Sequence, residues 1–212
     1  MRTRSLDSTI MSLPRAGVVI LAAGGSTKLG RPKQLVQFKG KSLLRRSVES
    51  AMKCELQCVI AVLGSRSDEI SGELEGLSVE TVRNEDWNSG ISTSIKTGLS
   101  KLLELHPGIN AVIIMLSDQP FVDETTVRGL FKMYCESGMP IVASEYNGVL
   151  GVPALFDRAM FDKLMALEGD EGARVIIRKY SSDKVASVPA PEAEFDVDTP
   201  DDQERLLQWN DA

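Results

Sequence analysis

Three short segments carry the residues best suited to chemistry. The first reads Leu21-Ala22-Ala23-Gly24-Gly25-Ser26-Thr27-Lys28-Leu29-Gly30-Arg31-Pro32-Lys33 and follows an apolar run. Small residues let a backbone approach a ligand closely, and exposed N–H groups suit phosphate oxygens. Two common anion loops do not fit it. Gly25 and Gly30 have the glycine spacing of GxxxxGK[ST], but Arg31-Pro32 stand where Lys and Ser or Thr are required. Proline also has no N–H to offer. Gly24-Gly25-Ser26 breaks the GxGxxG dinucleotide pattern. What remains is a glycine-rich loop bearing Lys28, Arg31 and Lys33. The run continues with Lys39, Lys41, Arg45 and Arg46 and no acidic residue, in a chain of net charge −6. It is either a solvated positive face or a partner for polyphosphate, and its place after a buried strand favours the second.

The second segment is Ser117-Asp118-Gln119-Pro120. A carboxylate there either caps the next helix or holds a hard cation beside phosphates. Asp123 and Glu124 supply caps closer to that helix. The third is Phe195-Asp196-Val197-Asp198-Thr199-Pro200, whose alternation puts Asp196 and Asp198 on one face of an extended segment. That pair is a metal clamp or a cap before the last helix. Asn88, Ser89 and Ser92 precede a further helix, where they bind an anion or simply cap, and capping accounts well for Ser92.

These segments need strands and helices to place them. Strands are expected at Val18–Ala23, Cys58–Leu63, Ser78–Arg83, Ala111–Leu116, Pro140–Ser144, Val185–Val188 and Phe195–Val197. Helices are expected at Ser42–Lys53, Ser67–Leu74, Ser92–Leu105, Glu124–Cys135, Ala159–Leu167, Ala173–Tyr180 and Pro200–Gln208. The alternation implies an α/β fold: a Rossmann-like, doubly wound, mostly parallel sheet in a single domain. Ligands then bind beyond the C-terminal strand ends, after Ala23, Arg83, Leu116 and Ser144. Residues 1–15 are expected to be a disordered extension and 16–212 the domain.

Composition narrows the function. At 212 residues, 42% hydrophobic and 25% charged, the chain can bury a core without staples. The acidic balance opposes a nucleic-acid coat. No apolar run approaches the ~18–20 residues that span a bilayer, and the N-terminus lacks a secretory signal, so the expected address is cytoplasmic. Cys54, Cys58 and Cys135 form no disulfide framework, and one histidine, His106, leaves little for zinc.

The first segment resembles the LAAGxSxRMGxxK signature of the MobA-like nucleotidyltransferase superfamily. Leu21, Ala22, Ala23, Gly24, Ser26, Gly30 and Lys33 match it, with Lys28 and Leu29 in place of Arg and Met. Asp118-Gln119-Pro120 matches its D-x-P, and Asp196 to Asp202 the D-[IV]-D-T-P-[ED]-D of its cytidylyl branch. Asn84, Trp87, Gly90, Ser94 and Ile95 match N-x-x-W-x-x-G-[MI]-x-x-S-[IL]. Gly151-Val152-Pro153-Ala154-Leu155-Phe156 resembles G-x-P-x-x-F, with Val152 where many cytidylyl members have His. Gly169 to Arg174 resembles G-D-x-G-A-R.

The resemblance implies Mg²⁺-dependent transfer of CMP from CTP to molybdopterin or its molybdenum-bound form. It implies Lys33, Lys28 and Asp118 as catalytic residues, and Asp118 with Asp196 or Asp198 as metal ligands. Nucleotide contacts fall to Leu21, Ala22, Ala23, Gly24, Gly25, Ser26, Gly30, Asn88, Ser89, Gly90 and Ser94. Acceptor contacts fall to Gly151, Pro153, Gly172 and Arg174. A molybdoenzyme or its chaperone is the implied partner, and neither nucleic acid nor membrane. Two alternatives share the loop: a sugar- or alditol-phosphate nucleotidyltransferase, and a non-catalytic molybdenum-cofactor chaperone.

Overall fold

The computed structural model describes residues 13–180 and 183–209. Of the expected extension, residues 1–12 lie outside the described residues. Arg15 is tied down, its N–H donating to Asn110 Oδ1 at 2.8 Å and its guanidinium to the Gly108 carbonyl at 2.9 Å.

The strands are β1 (Ala16–Ala22), β2 (Gln37–Phe38), β3 (Lys41–Ser42), β4 (Val59–Leu63), β5 (Glu80–Arg83), β6 (Ala111–Leu116), β7 (Ile141–Tyr146), β8 (Val149–Asp157) and β9 (Val185–Pro189). The helices are α1 (Leu43–Met52), α2 (Ser67–Ile70), α3 (Ile91–Leu105), α4 (Glu124–Ser137), α5 (Phe161–Met165), α6 (Ala173–Lys179) and α7 (Pro200–Leu207). Seven strands make one sheet in the order β5-β4-β1-β6-β8-β7-β9, and β2 pairs with β3 in a small ribbon. Every main-sheet pairing is parallel except those of β8, which runs against both β6 and β7.

The central strands are continuous apolar runs because both faces are covered. Val18, Ile20 and Ala22 of β1 face one layer with Leu44 and Val48 of α1 and Val127 and Leu130 of α4. Val19 and Leu21 face the other, with Ile95, Leu99 and Leu102 of α3 and Ile176 of α6. A third cluster joins Leu29, Val36, Phe38 and Leu43 to Val197 and Leu206, which fastens the glycine-rich loop to the C-terminal helix. No described helix is long and apolar enough to cross a membrane.

Two expectations need correction. The sequence reading has no strand at Val149–Asp157, yet β8 is the longest in the sheet. The hairpin that creates it turns at Asn147 and Gly148, both at positive φ, +50° and +69°. Conversely, Phe195–Val197 is not a strand; it is an irregular segment between a 3₁₀ turn at Pro191–Glu194 and α7. Val197 bonds the Asp118 carbonyl through its N–H at 3.0 Å instead of joining a ladder.

Candidate active site

The chain leaves β5 at one edge of the sheet, passes through α3, and re-enters at β6 on the far side of β1. This reversal opens a crevice beyond the C-terminal ends of β1 and β6. The glycine-rich loop leaves β1 there, and Ser117-Asp118 leaves β6 there. The crevice is a cleft of about 340 Å³ lined in part by Ala23, Gly24, Lys33, Trp87, Ser94 and Asp118.

The loop owes its shape to two side chains. Gln34 is 1% exposed. Its amide donates to the carbonyls of Ala22, at 2.7 Å, and Gly24, at 3.0 Å. The Ser26 hydroxyl accepts the Lys33 N–H at 3.0 Å, while the Ser26 carbonyl accepts those of Leu29 and Gly30, each at 3.1 Å. The loop therefore closes on itself and aims Lys33 inward.

There the Lys33 ammonium donates to Asp118 Oδ2 and to Asp198 Oδ1, the latter at 2.7 Å. Burial pulls Lys33 toward the neutral form, but Asp118 and Asp198 outweigh it and hold the ammonium above the ordinary lysine range. Asp118 is 7% exposed, and its Oδ1 has no partner among the described residues. Asp196 lies close enough to feel the same charges. Loss of water, then Asp118 and Asp198, push its carboxyl above the usual aspartate range. The cap reading of Asp118 falls away, because Asp123 caps α4, accepting the N–H groups of Thr125 at 2.8 Å and Thr126 at 3.4 Å.

Among the described residues no three His, Cys, Asp or Glu side chains are placed to hold a metal by themselves. A cage of Asp118, Asp196 and Asp198 is therefore not formed, since Lys33 occupies the space between two of them. The donor set still fits a hard cation. Mg²⁺ takes oxygen ligands, one or two of them carboxylates, and completes its shell with waters and substrate phosphates. The unpartnered Asp118 Oδ1 is an oxygen suited to that role.

The other expected contacts divide. Leu21, Ala23, Gly24, Gly25, Asn88, Gly90 and Ser94 line the cleft. Ala22 cannot present its side chain there, because strand alternation turns it into the opposite core layer. Ser26 and Gly30 shape the loop without lining the cleft. Lys28 and Ser89 are exposed and lie outside it. Ser92 does not cap α3; it sits one residue inside the helix, where the N-cap is Gly90. Most of the basic run is spent elsewhere: Lys41 and Arg45 pair with Glu49, and Arg46 reaches the Pro120 carbonyl and the Phe38 ring.

The residues expected to contact the acceptor do not line this cleft; the antiparallel register that ends at Ile114↔Ala154 runs Pro153 and Gly151 on toward the C-terminal end of β6. Gly151 packs against Tyr146, where a Cβ would fall 2.2 Å from the phenol oxygen, and Arg174 donates to that oxygen at 2.7 Å. Gly172 is the N-cap of α6, two positions before Arg174. The Pro153 carbonyl accepts from the Ser144 hydroxyl at 2.7 Å.

Three contributors escape the sequence reading as site residues. Gln34 organises the loop. Gln119 donates to the carbonyls of Val152, at 3.2 Å, and Ala193, at 2.7 Å, fixing the corner that carries Asp118. Asp170 lines the cleft because Gly90 (φ +110°) lets the Gly169 carbonyl come against it, and the Ser92 N–H bonds that carbonyl at 3.1 Å. For Asp170 the G-D-x-G-A-R match was the available signal; a buried glutamine has none in a single sequence.

Comparison with known proteins agrees with this architecture. The family described as MobA-like NTP transferase domain matches residues 18–185. Nicotine blue oxidoreductase of Paenarthrobacter nicotinovorans is 29% identical over 206 residues, covering 92% of this chain and 98% of that protein. Purine catabolism protein PucB of Bacillus subtilis (strain 168) is 26% identical over 199 residues, covering 89% and 94%. The structure of Rv0371c from Mycobacterium tuberculosis H37Rv superposes with a TM-score of 0.79 at 28% identity, covering 93% of this chain and 100% of that one. The same mycobacterial protein also has a solved complex with manganese.

Proposed function

The chain belongs to the MobA-like NTP transferase family, and we propose that it moves a nucleotidyl group from a nucleoside triphosphate to a phosphate oxygen of an acceptor. An acceptor oxygen attacks the α-phosphorus, the bond to the β-phosphate oxygen breaks, and pyrophosphate leaves with the electron pair. The attacking group is already an anion, so no strong general base is needed. The work falls to positioning and charge stabilisation.

One observation carries this reading: the Lys33 ammonium is held between Asp118 and Asp198 at a cleft on the sheet's switch point. The backbone of Gly24 to Gly30 is suited to cradle the triphosphate. Lys33 is suited to meet the α-phosphate as charge develops, and Lys28, on the exposed rim, to reach its outer phosphates. Asp118, with Asp198 or Asp196, is the ligand set for Mg²⁺, which when bound neutralises phosphate charge. Leu21, Ala23, Asn88, Gly90 and Ser94 are the contacts for base and ribose. Gly151, Pro153, Gly172 and Arg174 are the acceptor side.

The finer reading is CTP as donor and molybdopterin, or its molybdenum-bound form, as acceptor, in the cytoplasm, with the product passed to a molybdoenzyme or its chaperone. It is supported by the Leu21-Ala22-Ala23-Gly24 and Asp196-Val197-Asp198-Thr199-Pro200 sequences, which favour the cytidylyl branch. The test is thermal stability against CTP, GTP, UTP, ATP and NADPH, each with and without Mg²⁺. A ligand at one hundred times its dissociation constant adds ~2.7 kcal/mol, which a melting curve resolves. A Mg²⁺-dependent shift with CTP alone supports the finer reading. A shift with another triphosphate moves the donor and favours a sugar- or alditol-phosphate acceptor. A shift with NADPH alone overturns nucleotidyl transfer in favour of the chemistry named for the Paenarthrobacter relative.

A further inference from the structure

We propose that Lys33 occupies the cation position between Asp118 and Asp198 until a triphosphate arrives, so that divalent-metal binding in this protein depends on the nucleotide. The inference rests on the nucleotidyl-transfer reading and adds an order of events to it.

The geometry is that of a site already filled by its own protein. The ammonium hydrogen-bonds one oxygen of each carboxylate. Its backbone cannot swing away, because Ser26 holds the Lys33 N–H and the neighbouring Gln34 is buried and bonded to two carbonyls. Only the side-chain torsions of Lys33 are free to change the contact. One Asp118 oxygen remains unpartnered, too little by itself to strip a divalent cation of its water. An incoming cation also meets a like charge at contact distance, beside the buried Asp118 carboxylate. Removing the ammonium would leave Asp118 and Asp198 facing each other with no counter-charge between them.

A triphosphate on the glycine-rich loop changes the balance. Its oxygens give Lys33 new anionic partners a side-chain rotation away. The released carboxylates then become ligands. Lys33 thus serves first as a lock on the carboxylates and then as a phosphate contact, and the coupling between nucleotide and metal is reciprocal.

The experiment titrates Mn²⁺ into the full chain without nucleotide and follows the free-ion signal by electron paramagnetic resonance. Wild type, Lys33→Met and Lys33→Arg are compared, with thermal unfolding run on each to confirm a folded protein. Lys33→Gln takes the place of Lys33→Met if the latter does not unfold cooperatively. The neutral variant is expected to bind Mn²⁺ on the order of tenfold more tightly than wild type, because a like charge has left the site. Lys33→Arg keeps the charge and stays as weak as wild type. Adding Asp118→Asn to the neutral variant abolishes the gain. Equal or weaker Mn²⁺ binding in the neutral variant overturns the proposal. Thermal shift of wild type with nucleotide and Mg²⁺ separates the two readings. A shift there with no gain in the neutral variant removes the lock and leaves transfer standing. No shift with any triphosphate overturns the transfer reading, and the proposal with it.

Discussion

Lys33 reaches the cleft because its neighbours hold its backbone, and its removal should be felt in rate more than in fold. Loss of one positioned donor to a developing charge costs on the order of 10²–10³ in rate. Lys33→Ala is therefore expected to lower single-turnover transfer by that factor; a variant within about tenfold of wild type would take Lys33 out of the chemistry. Gln34 acts differently. Gln34→Ala takes the donor from the Ala22 carbonyl in a buried setting and from the Gly24 carbonyl in a half-buried one. The expected cost is about 1–3 kcal/mol of unfolding free energy, measurable in urea, together with weaker nucleotide binding. Asp118 is legible in the sequence because a charged residue just past the end of a buried parallel strand has only the crevice to face, and Lys33 because it stands in the glycine-rich basic stretch that follows β1. Gln34 was not, since nothing in its neighbours' types reveals that its amide turns inward. Lys28 is marked by its charge alone, and its side chain is exposed outside the cleft.

The elements explain which parts of the fold could be read. Continuous apolar runs gave β1, β4 and β6 with their helices, because both faces of those strands are covered. The hairpin of β7 and β8 was missed although Asn147-Gly148 is a strong signal for a tight turn. An expectation of strict strand–helix alternation left no room for an antiparallel partner. Asp198 reaches Lys33 at the cleft not through strand pairing but because Val197 and Leu206 anchor the irregular segment and α7 to the loop's own apolar cluster, while Asp196 lines a neighbouring cleft with Phe195 and Arg205. That helix starts with a capping box of Thr199 and Asp202 and with Pro200 in its first turn. The Thr199 hydroxyl and the N–H groups of Thr199 and Asp198 hold the Asp202 carboxyl below its usual 3.8. Its stabilisation is therefore present above the unfolded carboxyl range and lost as pH falls through the folded one. Asp202→Ala should cost about 1 kcal/mol at neutral pH. The gap to wild type should close in acid, and a gap that persists unchanged at low pH would refute the assignment. Gly90 belongs to this scale too. A Cβ there would lie 2.1 Å from the Gly169 carbonyl oxygen, at a φ of +110° that side chains avoid. Gly90→Ala is expected to keep the sheet, displace the turn bearing Asp170, and abolish the nucleotide-induced thermal shift.

At the level of the molecule, topology locates the site better than size does. A cleft of about 720 Å³ opens near Arg15, Cys54, Gln57 and Val127, at the other end of the strands from Lys33 and Asp118. The smaller cleft at the switch point is the one where the glycine-rich loop, the acid after β6 and Asp198 converge. The overall charge of −6 is no obstacle to a polyphosphate ligand, because field strength is set locally and Lys33 is presented on a loop of small residues. Nucleotidyl transfer makes one bond and breaks another at the α-phosphorus, so the most direct measurement follows both. CTP labelled at the α-phosphate is incubated with the protein, Mg²⁺ and molybdopterin, and label transfer is measured beside pyrophosphate release. One pyrophosphate is expected for each labelled acceptor, dependent on the metal and lost in Lys33→Ala. No pyrophosphate from any of the four triphosphates, with molybdopterin or a sugar phosphate present, would overturn nucleotidyl transfer.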